Sequence, residues 1–432
     1  MTETGTLKTF ARRSAAATLL LLVFLLATDL AVSQSRDLAS IGRVDPPNDR
    51  FHVETEGNVR VTTAVPTSIE TIRIFGVGLY ARNVQPVWIQ IENLGDEVLW
   101  FLPTGIDEAY FTPIETSYRR QNRLAILDWA INRDYYDMGM SMYIKPHEVR
   151  SGYIFTRVDQ GTKSFNVDVL SRDAEVRMSF FVPVPGLKLD HYEVEWENLY
   201  DEDDISDVDI EGLVKGLEVL PCCVTNKKGK KFGDPLNLVI VGDLRDAYYA
   251  FMRAGWDETE TVYSGSFFRT IGSALSGTEY RYSPVSALYV YGRAQDVALQ
   301  KARTSVHNRN HLRLWMTPMR FEGKPVWIGQ ISRDIGVRLT WKTITTHKID
   351  PDVDETREYL LEDLAYAQSV AAFGYVRGVG TTSIDSPRGN LTGDPYFTDG
   401  LRIVLFVSAD ARDISEIGFM DLGMHPLLVQ PE

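Results

Sequence analysis

The chain is poor in the residue types that define several large functional classes. Only two of its 432 residues are cysteines, the neighbours Cys222 and Cys223, which excludes a disulfide framework. Neighbouring side chains point in diverging directions, so a bond between the two sulfur atoms would close a strained ring. We therefore expect two small apolar side chains in or near a strand, with redox chemistry or an intermolecular bridge as the alternative.

Positive charge is also scarce. The chain has 45 Lys and Arg residues against 59 Asp and Glu residues, which gives a formal net charge of −14. Binding to a nucleic acid backbone requires basic surface, so the composition argues against nucleic acid as a partner. The same deficit argues against broad adsorption to anionic lipid.

Sequence signatures of common reactions are absent. The chain contains no GxSxG, GxxxxGK(S/T), HExxH or CxxC motif. The sequence therefore assigns neither a reaction nor a cofactor.

Long apolar runs are confined to the N-terminus. Lys8, Arg12 and Arg13 precede an uncharged, Leu-rich segment from 15 to 27, and Ala31-Val32-Ser33 offers a small-x-small cleavage pattern. This predicts a signal peptide over residues 1–33 and an extracytoplasmic protein, periplasmic or secreted. The alternative is an uncleaved membrane anchor, although a span requires about 20 predominantly apolar residues.

About 400 residues remain, which is too many for one core and predicts two domains. Residues 51–200 are expected to form a β-rich, sandwich-like domain, because short apolar or alternating segments follow one another between turn residues. We expect strands over 72–80, 84–91, 98–101, 153–156, 165–170 and 176–183, and a helix that includes Leu124, Leu127, Ile131 and Tyr135. Residues 201–212 are rich in Asp and Glu and are expected to be a solvated acidic linker.

Residues 213–412 are expected to form an α+β domain with a mostly antiparallel sheet, followed by a tail over 413–432. Apolar or alternating segments predict strands near 236–241, 287–291, 311–316, 326–331, 337–341 and 401–407. One helix should be capped by Asp243 and end at Gly255. A second should begin at Asp350-Pro351 and run towards Val370.

Reactive side chains are crowded between 307 and 357. In a strand, His311 and Arg313 share one face, and on the next strand Ser332 and Asp334 share one face. If the two strands pair, His311 and Arg313 look towards Ser332 and Asp334. A His–carboxylate contact of this kind orients a base, so His311, Asp334 and His347 are the predicted catalytic residues.

Arginines recur in the same region of an acidic chain. Converging guanidinium groups form receptors for phosphate or carboxylate, and we predict that Arg293, Arg313 and Arg333, with Asp350, bind the ligand. The alternatives are solvated strand arginines and, for Asp350, a role as helix cap. His311 with His347 and Asp350 or Asp352 would suit zinc, but the match has low specificity, and no metal site is predicted.

These segments resemble the LssY-type C-terminal domain of bacteria, from about Asp234 to Val407. The matching segments are 235–243, 291–296, 311–315, 332–336, 346–354 and 389–394. The family has no established activity to carry over. Some relatives join this domain to a membrane phosphatase of the phosphatidic acid phosphatase class, whose Ser-Arg, His and Asp spacing is not reproduced here by Ser332-Arg333, His347 and Asp350.

We therefore expect an exported, envelope-associated protein that binds, and potentially hydrolyses, a polar anionic ligand in an Arg/His/Asp cleft. An anionic small molecule or a lipid headgroup, phosphate-bearing or lipid-derived, is the expected ligand. The alternative is a non-enzymatic structural or secretion-associated module that docks an envelope protein partner.

Overall fold

The computed structural model describes residues 50–120, 129–159, 161–172, 174–184, 191, 194–259, 286–305, 308–338, 346–408 and 410–424. The predicted signal peptide, the start of the helix expected from Leu124 and the last eight residues lie outside this part of the chain. The chain divides into two compact units, residues 1–185 and 186–432. Across the described ranges, no helix combines the length and the apolar character needed to span a bilayer.

The first unit contains two antiparallel sheets of four strands each. Their orders are β1-β2-β3-β6 and β5-β4-β7-β8. The strands are β1 His52–Glu56, β2 Val59–Ala64, β3 Gln85–Asn93, β4 Leu99–Leu102, β5 Tyr143–Ile144, β6 Val149–Thr156, β7 Gly161–Leu170 and β8 Glu175–Val184. Both sheets contribute to one core, with Val61 and Ile89 from the first and Phe101, Val167 and Phe180 from the second. Every second residue of β7 is buried, as expected for a strand with one face on the core.

The prediction of a strand over 72–80 is wrong, because α1 occupies Ser68–Phe75. The side chain of Thr67 accepts from the Glu70 amide and the Glu70 carboxylate accepts from the Thr67 amide, which forms a capping box. Gly76 ends the helix with φ +67°. Two further helices are α2, Pro113–Arg120, and α3, Trp129–Met138. The helical spacing of Ile131 and Tyr135 falls in α3, and Tyr135 is buried.

The second unit is built on a ten-stranded sheet. Its main order is β13-β16-β17-β18-β12-β23-β20-β24, with β9 beside β17 and β19 beside β18. Two smaller sheets, β11-β10-β14-β15 and β21-β22, complete the described part of this unit. The strands of all three sheets are β9 Ser206–Val208, β10 Cys223–Thr225, β11 Phe232–Pro235, β12 Leu238–Val241, β13 Asp257–Glu258, β14 Tyr289–Val290, β15 Arg293–Ala294, β16 Val297–Ser305, β17 Asn308–Phe321, β18 Lys324–Arg338, β19 Thr346–Ile349, β20 Val370–Arg377, β21 Arg388–Gly389, β22 Pro395–Tyr396, β23 Leu401–Val407 and β24 Gly418–Phe419. The helices are α4 Ile210–Val219, α5 Leu244–Arg253 and α6 Val353–Tyr366. The protein is therefore of the α+β class with mostly antiparallel sheets.

The acidic segment 201–212 is part of this unit rather than a solvated linker. Its strand β9 pairs in parallel with β17. Asp207 accepts from the amide of Gly323 at 3.1 Å, and Asp209 caps α4 by accepting from the amide of Gly212 at 2.8 Å. Two of the carboxylates that suggested a linker, those of Asp207 and Asp209, therefore satisfy backbone N–H groups at a turn and at a helix start.

The starts of both helices differ from the prediction, α5 in its capping bond and α6 in its first residue. Asp243 precedes α5 without a side-chain capping bond, while Gly255, with φ +79°, follows its last turn as expected. α6 begins at Val353 because Asp352 is its cap and accepts from the Glu355 amide at 3.1 Å. Asp350 instead accepts from the amide of Asp352, which forms a turn before the helix.

The two faces of the large sheet differ in what covers them. On one face, Arg333 and Lys301 contact α6 through Glu355 and Asp363, both at 2.6 Å. The opposite face carries Trp315, Ile328 and Val404. These pack with Leu213 and Leu217 of α4 and with Val224 and Val290 of the small sheet β11-β10-β14-β15. We call the first face the helix face, because α6 covers it. Beyond its apolar part, the second face also carries Arg309, His311 and Arg313, and for these residues we call it the polar face.

The end of α4 is held by a fully buried arginine, Arg402. Its guanidinium donates to five backbone carbonyl groups, those of Leu217, Leu220, Pro221, Leu236 and Gly378. Helix ends leave carbonyl groups without partners, and this cation satisfies them. Burial lowers the pKa of Arg402 to about 10.

The expectation of two independent cysteines is wrong, because Cys222 and Cys223 form a disulfide. Cys222 lies in a bend between α4 and β10, and its carbonyl accepts from the Leu236 amide at 2.8 Å. The sulfur atoms meet because the chain turns at this point. The divergence expected within a regular strand does not apply there.

Candidate functional site

The candidate site centres on a buried histidine–carboxylate pair. The Nε2 atom of His311 lies 2.6 Å from the Oδ2 atom of Asp334. β17 and β18 pair antiparallel with His311 opposite Ser332, which confirms the predicted hairpin and shared face. Glu322 and Gly323 turn the chain between the strands, both with positive φ. His311 is 8% exposed and Asp334 is 2% exposed, so the pair is shielded from bulk water.

Burial lowers the pKa of the His311 imidazole, and the nearby Asp334 carboxylate opposes that effect. The ring is therefore expected to be neutral near pH 7. Because a carboxylate accepts hydrogen bonds, the proton lies on Nε2 and the lone pair is on Nδ1. This is the arrangement in which a carboxylate orients a general base.

Arg309 extends the polar face on one side of His311. It stands two residues away on β17, so the two side chains share a face. Its Nη1 atom donates to the Oε1 atom of Gln300 at 2.7 Å, and its side chain has no ion-pair partner among the described residues. The Nε atom is buried without a hydrogen-bond partner in that same part of the chain. Burial lowers the pKa of Arg309, with Asp334 acting in the opposite direction.

Arg313 extends the face on the other side. Its Nη1 atom donates to the Oε1 atom of Gln330 at 2.9 Å, and its Nη2 atom donates to the carbonyl of Ser286 at 3.2 Å. Both of these partners are neutral groups. Gln330 is fully buried, and its Nε2 atom has no partner within the described ranges.

Three predicted ligand-binding residues lie apart from His311. Arg293 on β15 forms a two-point ion pair with Asp296, at 2.9 and 3.0 Å. Arg333 points to the helix face, where it pairs with Glu355, because it is one residue out of phase with Ser332 and Asp334. Asp350 is engaged in the turn before α6.

His347, the third predicted catalytic residue, lies on β19 opposite Val337 of β18. Its side chain lies outside the described residues, so its role stays a prediction. Within the described ranges, no group of three or more His, Cys, Asp or Glu side chains is arranged to hold a metal ion.

Sequence reasoning left Arg309, Gln300 and Gln330 out of the site. Arg309 is not among the predicted residues, although its spacing of i−2 from His311 and i−4 from Arg313 places all three on one strand face. Gln330 lies two residues before Ser332 on β18 and so shares its face, but an uncharged amide gave no signal of a site. Gln300 lies opposite His311 on β16, and no local pattern predicted that register.

A comparison with known families identifies the region that contains this face. The family model described as LssY C-terminus matches residues 216–401. Residues 216–401 form an LssY-like C-terminal domain. The match confirms the resemblance seen in the sequence, and Arg309, His311, Arg313 and Asp334 all lie within the LssY-like domain. No curated protein matches the chain.

Proposed function

We propose that the LssY-like domain binds a polar anionic ligand at the polar face, between the guanidinium groups of Arg309 and Arg313. The observation that carries this proposal is Arg309. It is 5% exposed, and its side chain bonds to a neutral amide rather than to a carboxylate within the described residues.

A buried charge destabilises a folded protein by several kcal/mol before compensation, and the Asp334 carboxylate compensates Arg309 at a distance only, without a hydrogen bond between them. An anion placed against Arg309 would offset that cost and would use its fork of N–H donors. Gln330 would add an amide donor at its Nε2 atom, and His311 lies between the two arginines. These groups favour a phosphate or carboxylate group over a neutral or cationic ligand.

A hydrolytic step would use His311 as the base. With Nε2–H donated to Asp334, the Nδ1 lone pair would accept a proton from a water that attacks the phosphorus atom of a phosphate ester. The bond from phosphorus to the ester oxygen would break, and the proton held on Nδ1 would pass to that oxygen, which leaves as an alcohol. Arg309 and Arg313 would stabilise negative charge that develops on the ligand. The setting in which we propose this chemistry is the cell envelope, following the predicted signal peptide. The phosphate could belong to a small molecule or to a lipid headgroup.

Thermal unfolding of the full chain tests the proposal. The parent should melt higher in phosphate, sulfate or glycerol 3-phosphate than in chloride at equal ionic strength, because a ligand of the folded state stabilises it. Arg309→Gln should lose this shift. Arg320→Gln is the matched control, since Arg320 lies on the same strand but is exposed, and it should keep the shift.

Vesicles of phosphatidylglycerol, compared with phosphatidylcholine, distinguish a lipid headgroup from a free anion. A parent whose melting temperature is the same in every anion and with either vesicle would contradict the proposal. That result would favour the alternative, a non-enzymatic interaction module.

A further inference from the structure

A cavity of about 840 Å³ lies in the LssY-like domain between the loop after β20 and the segment before β23. Its lining includes none of the residues of the polar face. The residues that matter for its chemistry are Thr382, Ser383, Asp385, Ser386, Arg388 and Phe397, with Asp399 beside them. A volume of this size suits a small ligand.

The cavity is held open by hydrogen bonds within its own walls. Thr382 and Thr398 exchange two backbone hydrogen bonds of 3.0 Å, which join the loop to the opposite segment. The Thr382 hydroxyl donates to the Ser386 carbonyl at 2.8 Å and closes the loop on itself. Both carboxylate oxygens of Asp399 accept from Arg357, each at 2.9 Å. The walls are therefore preorganised before any ligand arrives.

The charges around the cavity oppose one another. Asp385 and Asp399 disfavour an anion, and Arg388 disfavours a cation. The side chains of Ser383, Ser386 and Asp385 make no hydrogen bond to the part of the chain that is described, so they remain available to a ligand. The half-buried ring of Phe397 adds an apolar surface.

We propose that this cavity binds a neutral saccharide. Sugar hydroxyl groups both donate and accept, so they match carboxylates, a guanidinium and serine hydroxyls at once. The C–H face of a sugar ring can pack on an aromatic ring such as that of Phe397. A phosphate group would meet two carboxylates here, and a polyamine would meet Arg388. The inference is independent of anion binding at the polar face, because the two sites share no residue.

A glycan array that carries neutral and acidic oligosaccharides, probed with the full chain, tests this proposal. Each bound glycan is then titrated by saturation-transfer NMR against the parent and three variants. Arg388→Gln and Asp385→Asn should each weaken binding by about tenfold, since each removes a charged hydrogen-bonding group. Arg412→Gln is the control, because Arg412 is exposed and lies outside the cavity.

Retention of a neutral glycan that depends on Arg388 and Asp385 but not on Arg412 supports the proposal. Three results overturn it: no glycan bound by the parent, glycan binding that all three variants retain, or binding of acidic glycans only. Each variant should fold like the parent, because the substituted side chains are exposed, and circular dichroism melts check this. Failure here leaves the anion-dependent melting shift unaffected.

Discussion

Arg309 donates its one side-chain hydrogen bond within the described residues to Gln300, with the Nη1 and Oε1 atoms 2.7 Å apart. Arg402 is likewise buried without a hydrogen bond to a carboxylate, but its guanidinium donates to five carbonyl groups. The contrast separates two functions of buried charge. Arg402 stabilises the end of α4, whereas Arg309 is under-compensated in the absence of a ligand.

Replacing Arg309 by methionine should stabilise the ligand-free protein. The change removes a buried, poorly compensated charge and keeps the volume of the aliphatic chain, so we expect a gain of about 1–3 kcal/mol in the free energy of unfolding. The same variant should no longer be stabilised by phosphate. Urea denaturation with and without phosphate measures both effects, and Arg320→Met should leave both unchanged. A ligand-free Arg309→Met protein less stable than the parent would show that Arg309 is structural.

Replacing Asp334 by asparagine should loosen the orientation of His311. An amide is a weaker acceptor than a carboxylate at 2.6 Å, and losing a charge-assisted bond in a buried site costs about 1.5–3 kcal/mol. In the parent, ¹⁵N NMR of the imidazole should report a neutral ring protonated at Nε2 at pH 7. In Asp334→Asn, the Nδ1 and Nε2 tautomers should become mixed. A parent ring that is charged at pH 7 would contradict the assignment of His311 as base.

His191 should make the protein less stable in acid. Burial lowers its pKa to about 4, from about 6.5 in the unfolded chain. Between these values the unfolded chain binds more protons, so the free energy of unfolding falls as the pH drops from 6.5 to 4, by up to about 3 kcal/mol. His191→Gln should remove this contribution, so in urea denaturation the variant should lose less stability than the parent, or gain stability, as the pH drops across that range. An unaltered pH profile in the variant would rule out His191 as its source.

Asp354 should make the protein more stable in acid, which is the opposite of the effect of His191. Burial raises its pKa to about 6, Arg357 opposes the rise, and the Asp399 carboxylate adds to it. The folded state then binds more protons between pH 4 and 6, so stability falls as the pH rises through that window, by up to about 3 kcal/mol. Asp354→Asn should flatten this slope and expose the acid sensitivity due to His191. If Asp354→Asn instead reduces the loss of stability at low pH, the pKa of Asp354 is lowered by folding rather than raised.

The central strands of the site were predictable because strand geometry is local. Side chains alternate with a period of two, so the sequence alone placed His311 with Arg313 and Ser332 with Asp334. The same rule separates Arg333 from that set, and its inclusion among the ligand-binding residues ignored it.

Other features depend on distant partners or on competing local signals. Gln300 faces His311 only because β16 pairs with β17 in one particular register, and no local pattern fixes that register. The helix α1 did have a local signal, since Thr67 and Glu70 have capping-box spacing. The apolar run that begins at Ile72 outweighed it in the prediction, although α1 buries only Ile74 and Phe75 of that run and leaves Ile72 exposed.

The sheet also constrains how the chain reaches its native state. β12 lies between β18 and β23, and residues 238–241 pair in parallel with residues 403–406. Ribosomes add about 5–20 residues per second, so β12 leaves the ribosome roughly 10–30 s before the strand that completes its pairing. Throughout that interval a strand that is fully buried in the finished protein has an open edge. Nascent chains that stop before β23 should therefore be the aggregation-prone species.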